Sequence, residues 1–326
     1  MGDILMTTPA ARALRKTLPK AFISYLVEEP FRDLVEGSPL FDEVLVLPKD
    51  ISHASFLRYL WGIRKKKYDA VLDFHGGPRA SLITLMSGAK TKVGYHVKHK
   101  SFIYDIRIPR SPEHGYIHSV ENHLNLVRAL GIKADSSSLE MPSAVEKEAT
   151  RLTRFFAENG LDQAKMIVLH IGAGNEFRQW GVYNFSRFIH LAAQKNHFKV
   201  VLVGSEEDKT LEEDIQKASK GISVSLVGML NLRELRWVIS HAQLFVGSDS
   251  GPMHVAATTS TPIVALFGPT VPANFSPWNA RSVLIEKNLD CRPCKQRECI
   301  HGDFRCIQEI HPQEVLDAGL SLLEER

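Results

Sequence analysis

No apolar run in this chain of 326 residues approaches the roughly 18 that a membrane-spanning helix needs. The N-terminus has no basic segment leading into an apolar stretch, so no secretory signal is visible. No G-x-G-x-x-G fingerprint opens the first helix, which weakens the reading as a nicotinamide-dinucleotide enzyme. No Asp-x-Asp pair stands near the glycine turns, so no metal-binding carboxylate pair is evident. No repeat with a period of about 20–50 residues appears, which excludes a solenoid. Cysteine is scarce, and all 4 lie between residues 291 and 306.

What is present is an ordinary globular composition, 44% hydrophobic and 24% charged. The length suits two domains. Net charge is only +3, but it is unevenly spread. Residues 1–133 carry 20 Lys and Arg against 13 Asp and Glu, and the remainder carries 20 against 24. Within residues 58–110 the ratio is 12 to 3. Such a stretch either faces an anionic partner or is a solvated basic surface.

Strands and helices alternate along both halves. In the first, helices are predicted over 3–18, 55–66, 78–87 and 118–130, with strands over 22–27, 44–47, 68–74 and 92–95. A Ser-rich linker follows at 133–143. In the second, helices are predicted over 146–159, 184–194, 209–220, 232–240 and 253–258. Its strands are predicted over 166–171, 199–203, 223–227, 244–246 and 262–267. This alternation predicts two doubly wound α/β domains, 1–145 and 146–326, with the last helix able to pack back on the first domain. A doubly wound domain opens with a strand, yet here the helix begins almost at Met1. The expectation is a missing first strand and a natural start about ten residues upstream.

Residues 244–270 organise the second half. A short apolar strand leads into Gly247-Ser248-Asp249-Ser250-Gly251, then a helix with Pro252 at its start, then a second apolar strand ending at Gly268-Pro269-Thr270. Asp249 or Ser250 can cap that helix. The turn reads either as an ordinary capped helix or as a phosphate cradle of free backbone N–H groups. Ligands of such sheets bind beyond the carboxyl ends of the strands, which places the loops after residues 171, 203, 246 and 267 at the site.

Several motifs, in order, carry a resemblance. Met1-Gly2-Asp3-Ile4-Leu5-Met6-Thr7-Thr8-Pro9 opens the chain. Asp73-Phe74-His75-Gly76-Gly77-Pro78-Arg79 follows, then Ser248-Asp249-Ser250-Gly251-Pro252-Met253-His254 and Phe267-Gly268-Pro269-Thr270. Together they resemble the ADP-heptose:lipopolysaccharide heptosyltransferases, inverting glycosyltransferases of the GT-B fold, in which two Rossmann-like domains face a cleft. The resemblance covers nearly the whole chain.

It implies transfer of a heptose from ADP-heptose to the lipopolysaccharide inner core by a cytoplasmic enzyme, peripheral to the inner face of the inner membrane, with no nucleic-acid partner. It implies Asp3 as catalytic base, where the residues alone favour a helix cap. It places Asp249, Ser250, Gly251, His254 and Thr270 at the donor, with Arg178 where the family usually has Lys. Glu206 or Glu207 would accept from the ribose hydroxyls, and Leu230 would cover the adenine. His75 and Arg79 would face the acceptor. No cofactor is implied for catalysis. A different nucleotide sugar, or a non-catalytic binding protein of the same fold, are the alternatives.

The cysteines, Cys291-x2-Cys294-x4-Cys299-x6-Cys306, are similar to a cluster in the same family. By themselves they read as a structural zinc or redox-cluster candidate, or as reduced thiols packing a loop.

Overall fold

The computed structural model describes residues 1–96, 101–110 and 116–325. It divides into two compact units, Met6–Ser137 on the one hand and Met1–Leu5 with Ser138–Arg326 on the other. The division falls inside the predicted first helix. That helix is two, α1 (Gly2–Leu5) and α2 (Thr8–Thr17), interrupted by a turn at Met6 and Thr7. Pro9 has no N–H to give the Leu5 carbonyl, so the helix cannot run through.

The Met6–Ser137 unit continues with β1 (Ser24–Glu28), β2 (Glu43–Leu47), α3 (His53–Lys65), β3 (Ala70–Asp73), α4 (Pro78–Met86), β4 (Thr91–Tyr95), β5 (Ile106–Ile108) and α5 (Ser119–Arg128). Among the described residues all its strand pairings are parallel. One sheet is β1–β2 and the other is β3–β4–β5. Strand β5 was not predicted, because Ile106-Arg107-Ile108 is too short to show a period. Ser52 caps α3 by accepting from the Ser55 N–H at 3.3 Å. Leu60 and Ile63 on α3 pack with Leu47 and Ile83. Under α5, His123 is buried, with its Nδ1 2.8 Å from the Tyr95 hydroxyl and its ring edge-on to Phe74.

The other unit comprises α1 and then α6 (Glu146–Glu158), β6 (Met166–His170), α7 (Val182–Asn196), β7 (Lys199–Val203), α8 (Lys209–Ala218), β8 (Val224–Ser225), α9 (Leu232–Ser240), β9 (Leu244–Ser248), α10 (Gly251–Ala256), β10 (Ile263–Phe267), α11 (Pro272–Phe275), β11 (Ser282–Glu286), α12 (Arg305–Gln308) and α13 (Pro312–Glu324). Its six strands form one parallel sheet in the order β11-β10-β9-β6-β7-β8. Strands β6, β9 and β10 are buried at every residue, as strands covered on both faces are, and only His170 and Ser248 at the tips of β6 and β9 are polar. The edge strand β8 keeps only two of the five residues predicted for it. Helix α13 packs on α7, β10 and β11. Gly319 lets α13 come close to the sheet, since a Cβ there would lie 2.5 Å from Leu244 Cδ2 on β9. Trp180 anchors the core, fully buried, with its Nε1–H donating to the Ile310 carbonyl at 2.8 Å. Its ring meets Phe185 edge-on.

Strand order reverses between β6 and β9: β7 and β8 extend one way, β10 and β11 the other. That reversal is the topological switch point, where doubly wound sheets leave a crevice above the strand tips.

Candidate active site at the strand tips

The switch point is flanked by the ends of β6 and β9. His170 closes β6, and Ser248 closes β9 just before the turn into α10. The turn is ordered by its own backbone. Asp249 N–H donates to the Leu266 carbonyl at 3.0 Å, and Ser250 Oγ donates to the Ser248 carbonyl at 3.1 Å. Ser250 is the N-cap residue of α10 and Gly251 its first residue. Ser250 Oγ also lies 3.4 Å from His170 Nδ1, joining the two strand tips.

Asp249 is only 5% exposed. Burial raises the pKa of its carboxyl, while the Thr270 hydroxyl and the Arg178 guanidinium oppose that rise. Arg178 ends the short 3-10 turn Glu176–Arg178 in the loop after β6. Its Nη1 donates to the Asp249 carbonyl oxygen at 2.9 Å and stands 3.6 Å from the Asp249 carboxylate. Arg178, Asp249, Ser250, Gly251 and Thr270 therefore come from three different loops to one place.

Helix α1 joins them. It packs against α10. A Cβ on Gly2 would lie 2.5 Å from His254 Cδ2, and one on Gly251 would lie 2.5 Å from Met1 Sδ. His254 is 3% exposed, so its ring has little room to yield. Asp3, exposed in the first turn of α1, thus follows directly on a glycine in contact with the α10 histidine.

The loop after β7 reaches the same end of the sheet. Glu206 is 69% exposed and pairs with Lys209 at 2.6 Å. A Cβ on Gly228 would lie 2.4 Å from Glu206 Oε2, so the Glu206 side chain and the segment leading to Leu230 are brought together. Glu207 points to solvent, and Leu230 is half-buried.

His75 and Arg79 belong to the other unit, in the loop after β3 and the start of α4. Asp73 builds that loop. Its carboxylate accepts from the His75 and Gly76 N–H groups at 3.0 and 2.8 Å and from the Tyr104 hydroxyl at 2.6 Å. The His75 ring is exposed, and its Nδ1 accepts from Gly77 N–H at 3.0 Å. Arg79 donates to the Pro48 carbonyl at 3.2 Å and stands 3.5 Å from Glu28.

Cys291, Cys294, Cys299 and Cys306 are all free thiols. Among the described residues no group of three or more His, Cys, Asp or Glu side chains is gathered to hold a metal ion. The segment instead lines the site. Cys294 N–H donates to the Pro269 carbonyl at 3.0 Å, and Arg292 Nη2 to the Thr270 carbonyl at 3.1 Å.

Sequence reasoning missed His170 and Gln296. For His170 a signal existed: an imidazole ending an otherwise apolar strand at its carboxyl tip. Gln296 left none, because it reaches the site from far along the chain.

Burial holds His170 neutral, with its pKa lowered from 6.5 to about 4 against the pull of Asp208. His123 behaves likewise, lowered to about 3 by burial first and then by Arg110 and His118. Below pH 6.5 the unfolded chain binds protons that the folded chain refuses, so stability is complete above that pH and is lost as pH falls toward 4. Each histidine contributes a slope of up to about 1.4 kcal/mol per pH unit. Urea midpoints measured from pH 7 down to pH 5 should fall, and His170→Asn should remove about half of that slope. A midpoint independent of pH would refute the neutral assignment.

A family model described as glycosyltransferase family 9 (heptosyltransferase) matches residues 56–304. The chain is 26% identical over 289 residues to lipopolysaccharide heptosyltransferase 3 of Escherichia coli, covering 85% of this chain and 84% of that protein. Among solved structures, a family 9 glycosyl transferase from Veillonella parvula superposes with a TM-score of 0.85 at 24% identity, covering 100% of this chain and 94% of the other. The ADP-heptose heptosyltransferase II of E. coli superposes with a TM-score of 0.79 at 22% identity, covering 99% and 96%. These likenesses establish the fold as GT-B, with two Rossmann-like α/β units.

Proposed function

This chain belongs to glycosyltransferase family 9, the heptosyltransferase family, and from that membership we propose that it transfers a heptose from ADP-heptose to the inner core of lipopolysaccharide, inverting the anomeric carbon. The observation that supports the residue assignments is the packing of α1 on α10, in which Met1 meets Gly251 and Gly2 meets His254, with Asp3 the next residue along.

Asp3 takes the proton of an acceptor hydroxyl, whose oxygen attacks the anomeric carbon as the bond to the diphosphate oxygen breaks. A hydroxyl is a weak nucleophile at neutral pH, and a carboxylate within hydrogen-bond reach contributes about 10²–10⁴-fold. The electron pair leaves on ADP. Its growing charge meets the Ser250 and Gly251 N–H groups and the Arg178 guanidinium, donors held in place before reaction. Arg178 supplies positive charge where a cation would otherwise be needed, so transfer requires no metal in this reading. Glu206 or Glu207 accepts from the ribose hydroxyls, Leu230 covers the adenine, and His254 and Thr270 complete the donor wall. His75 and Arg79 contact the acceptor. The four cysteines have no step in the reaction, and any zinc on them would be structural.

The acceptor is lipid-anchored, which asks for a membrane-facing surface. Helix α3 supports one. Leu57 and Trp61 are 64% and 59% exposed, one turn apart on the same face. The Lys65 ammonium lies 3.2 Å over the Trp61 ring, at the start of the basic residues 64–67. Aromatic and basic side chains together suit an anionic bilayer surface. Among the described residues no helix is long and apolar enough to cross a membrane.

The test is incubation of the protein with ADP-heptose and truncated lipopolysaccharides of defined length, read by mass spectrometry. One acceptor should gain the mass of a single heptose while ADP appears. Transfer from another nucleotide sugar alone, or no turnover with any, would overturn the proposal.

A further inference from the structure

Arg178 is held by two partners, and one of them comes from the cysteine-rich segment 118 residues away. Gln296 Oε1 accepts from Arg178 Nε at 3.0 Å and from Asn175 Nδ2 at 3.1 Å. On the other side Arg178 Nη1 donates to the Asp249 carbonyl at 2.9 Å. Its Nη2 makes no hydrogen bond to the described residues, and this is the nitrogen left for a ligand. We propose that Gln296 is a positioning residue: it fixes the Arg178 guanidinium so that the remaining nitrogen is presented to the donor diphosphate. The proposal rests on the donor reading above and extends it to a residue outside the motifs.

The backbone around Gln296 is built for this reach. Gln296 has φ 54°, in the left-handed region that few non-glycine residues adopt. Its N–H donates to Cys294 Sγ at 3.3 Å. Cys294 and Arg292 tie the segment to the loop after β10 through the Pro269 and Thr270 carbonyls. The chain therefore turns at residue 296 from an anchored base and sends the amide back toward Arg178. Arginine has many rotamers, and losing that freedom during binding would weaken affinity. Clamping both sides of the guanidinium moves the loss to folding. The clamp is selective for arginine. A lysine at 178 carries a methylene where arginine carries Nε–H, so it offers Gln296 no donor at that place.

That selectivity gives a readout that a merely structural glutamine would not move. ADP affinity is measured by calorimetry on the full chain, as the original protein, Gln296→Asn, Arg178→Lys and the double variant. Asparagine keeps the amide and tolerates the left-handed backbone but is one methylene too short. Gln296→Asn should weaken ADP binding by about five- to tenfold when Arg178 is present, and by less than about twofold in the Arg178→Lys background. Gln296→Met, matched in length but without the acceptor, should behave like Gln296→Asn and replaces it if that variant does not fold. An equal loss in both backgrounds, or no loss with Arg178 present, would overturn the positioning role alone. An original protein that binds no ADP would overturn the donor reading instead.

Discussion

Replacing Asp3 by Asn should lower turnover by about 10²–10⁴-fold and leave the affinity for ADP within about twofold. The substitution keeps size and one acceptor oxygen but replaces the charged carboxylate by a neutral amide, which cannot take a proton. Asp3 sits in the first turn of α1, exposed and free to meet a substrate hydroxyl. Asn is also a competent residue near a helix N-terminus, so the alternative role of Asp3 as a helix-capping group predicts almost no change. The two roles therefore separate on a single variant. Turnover is read from ADP release, and binding from calorimetry. A loss of both together would mean that α1 had come away from α10. Near-normal turnover would leave Asp3 without a catalytic task.

How much of this was legible beforehand depends on where each contact comes from. Strands β6, β9 and β10 could be read because a parallel strand buried on both faces is an unbroken apolar run. The turn of Asp249, Ser250 and Gly251 could be read because strand, glycine turn and helix follow one another locally. The break between α1 and α2 was hidden, since the proline that causes it also suits a helix start. Strand β5 was hidden by its length and β11 by its place at the sheet edge, where half-exposed residues blur the pattern. Gln296 could not be found at all. Its neighbours are cysteines and charged residues, and its relation to Arg178 exists only after the segment has folded against the loop beyond β10. Local signals find the loops that cradle a ligand, whereas the residues that orient those loops are brought in by tertiary packing.

The packing of α1 on α10 leads to the other large effect. Gly2→Ala should reduce turnover by about 10²-fold, although it adds one methyl group and touches no reacting atom. The Cβ would lie 2.5 Å from His254 Cδ2 and 3.0 Å from Nε2, distances at which something must move. The imidazole is 3% exposed and cannot swing into solvent without opening the core beneath it. The short helix α1 is the softer partner, so it lifts, and Asp3 lifts with it. A displacement of about 1 Å in a positioned catalytic group is enough for a 10²-fold loss. Stability should change little, because α1 has only Leu5 fully buried. The check is a pair of variants. In a His254→Ala background the space beside Gly2 is already open, so adding Gly2→Ala should cause no further loss of turnover. If Gly2→Ala costs the same factor with and without His254, the collision is not its cause. The contact between α1 and α10 would then not be what sets the place of Asp3.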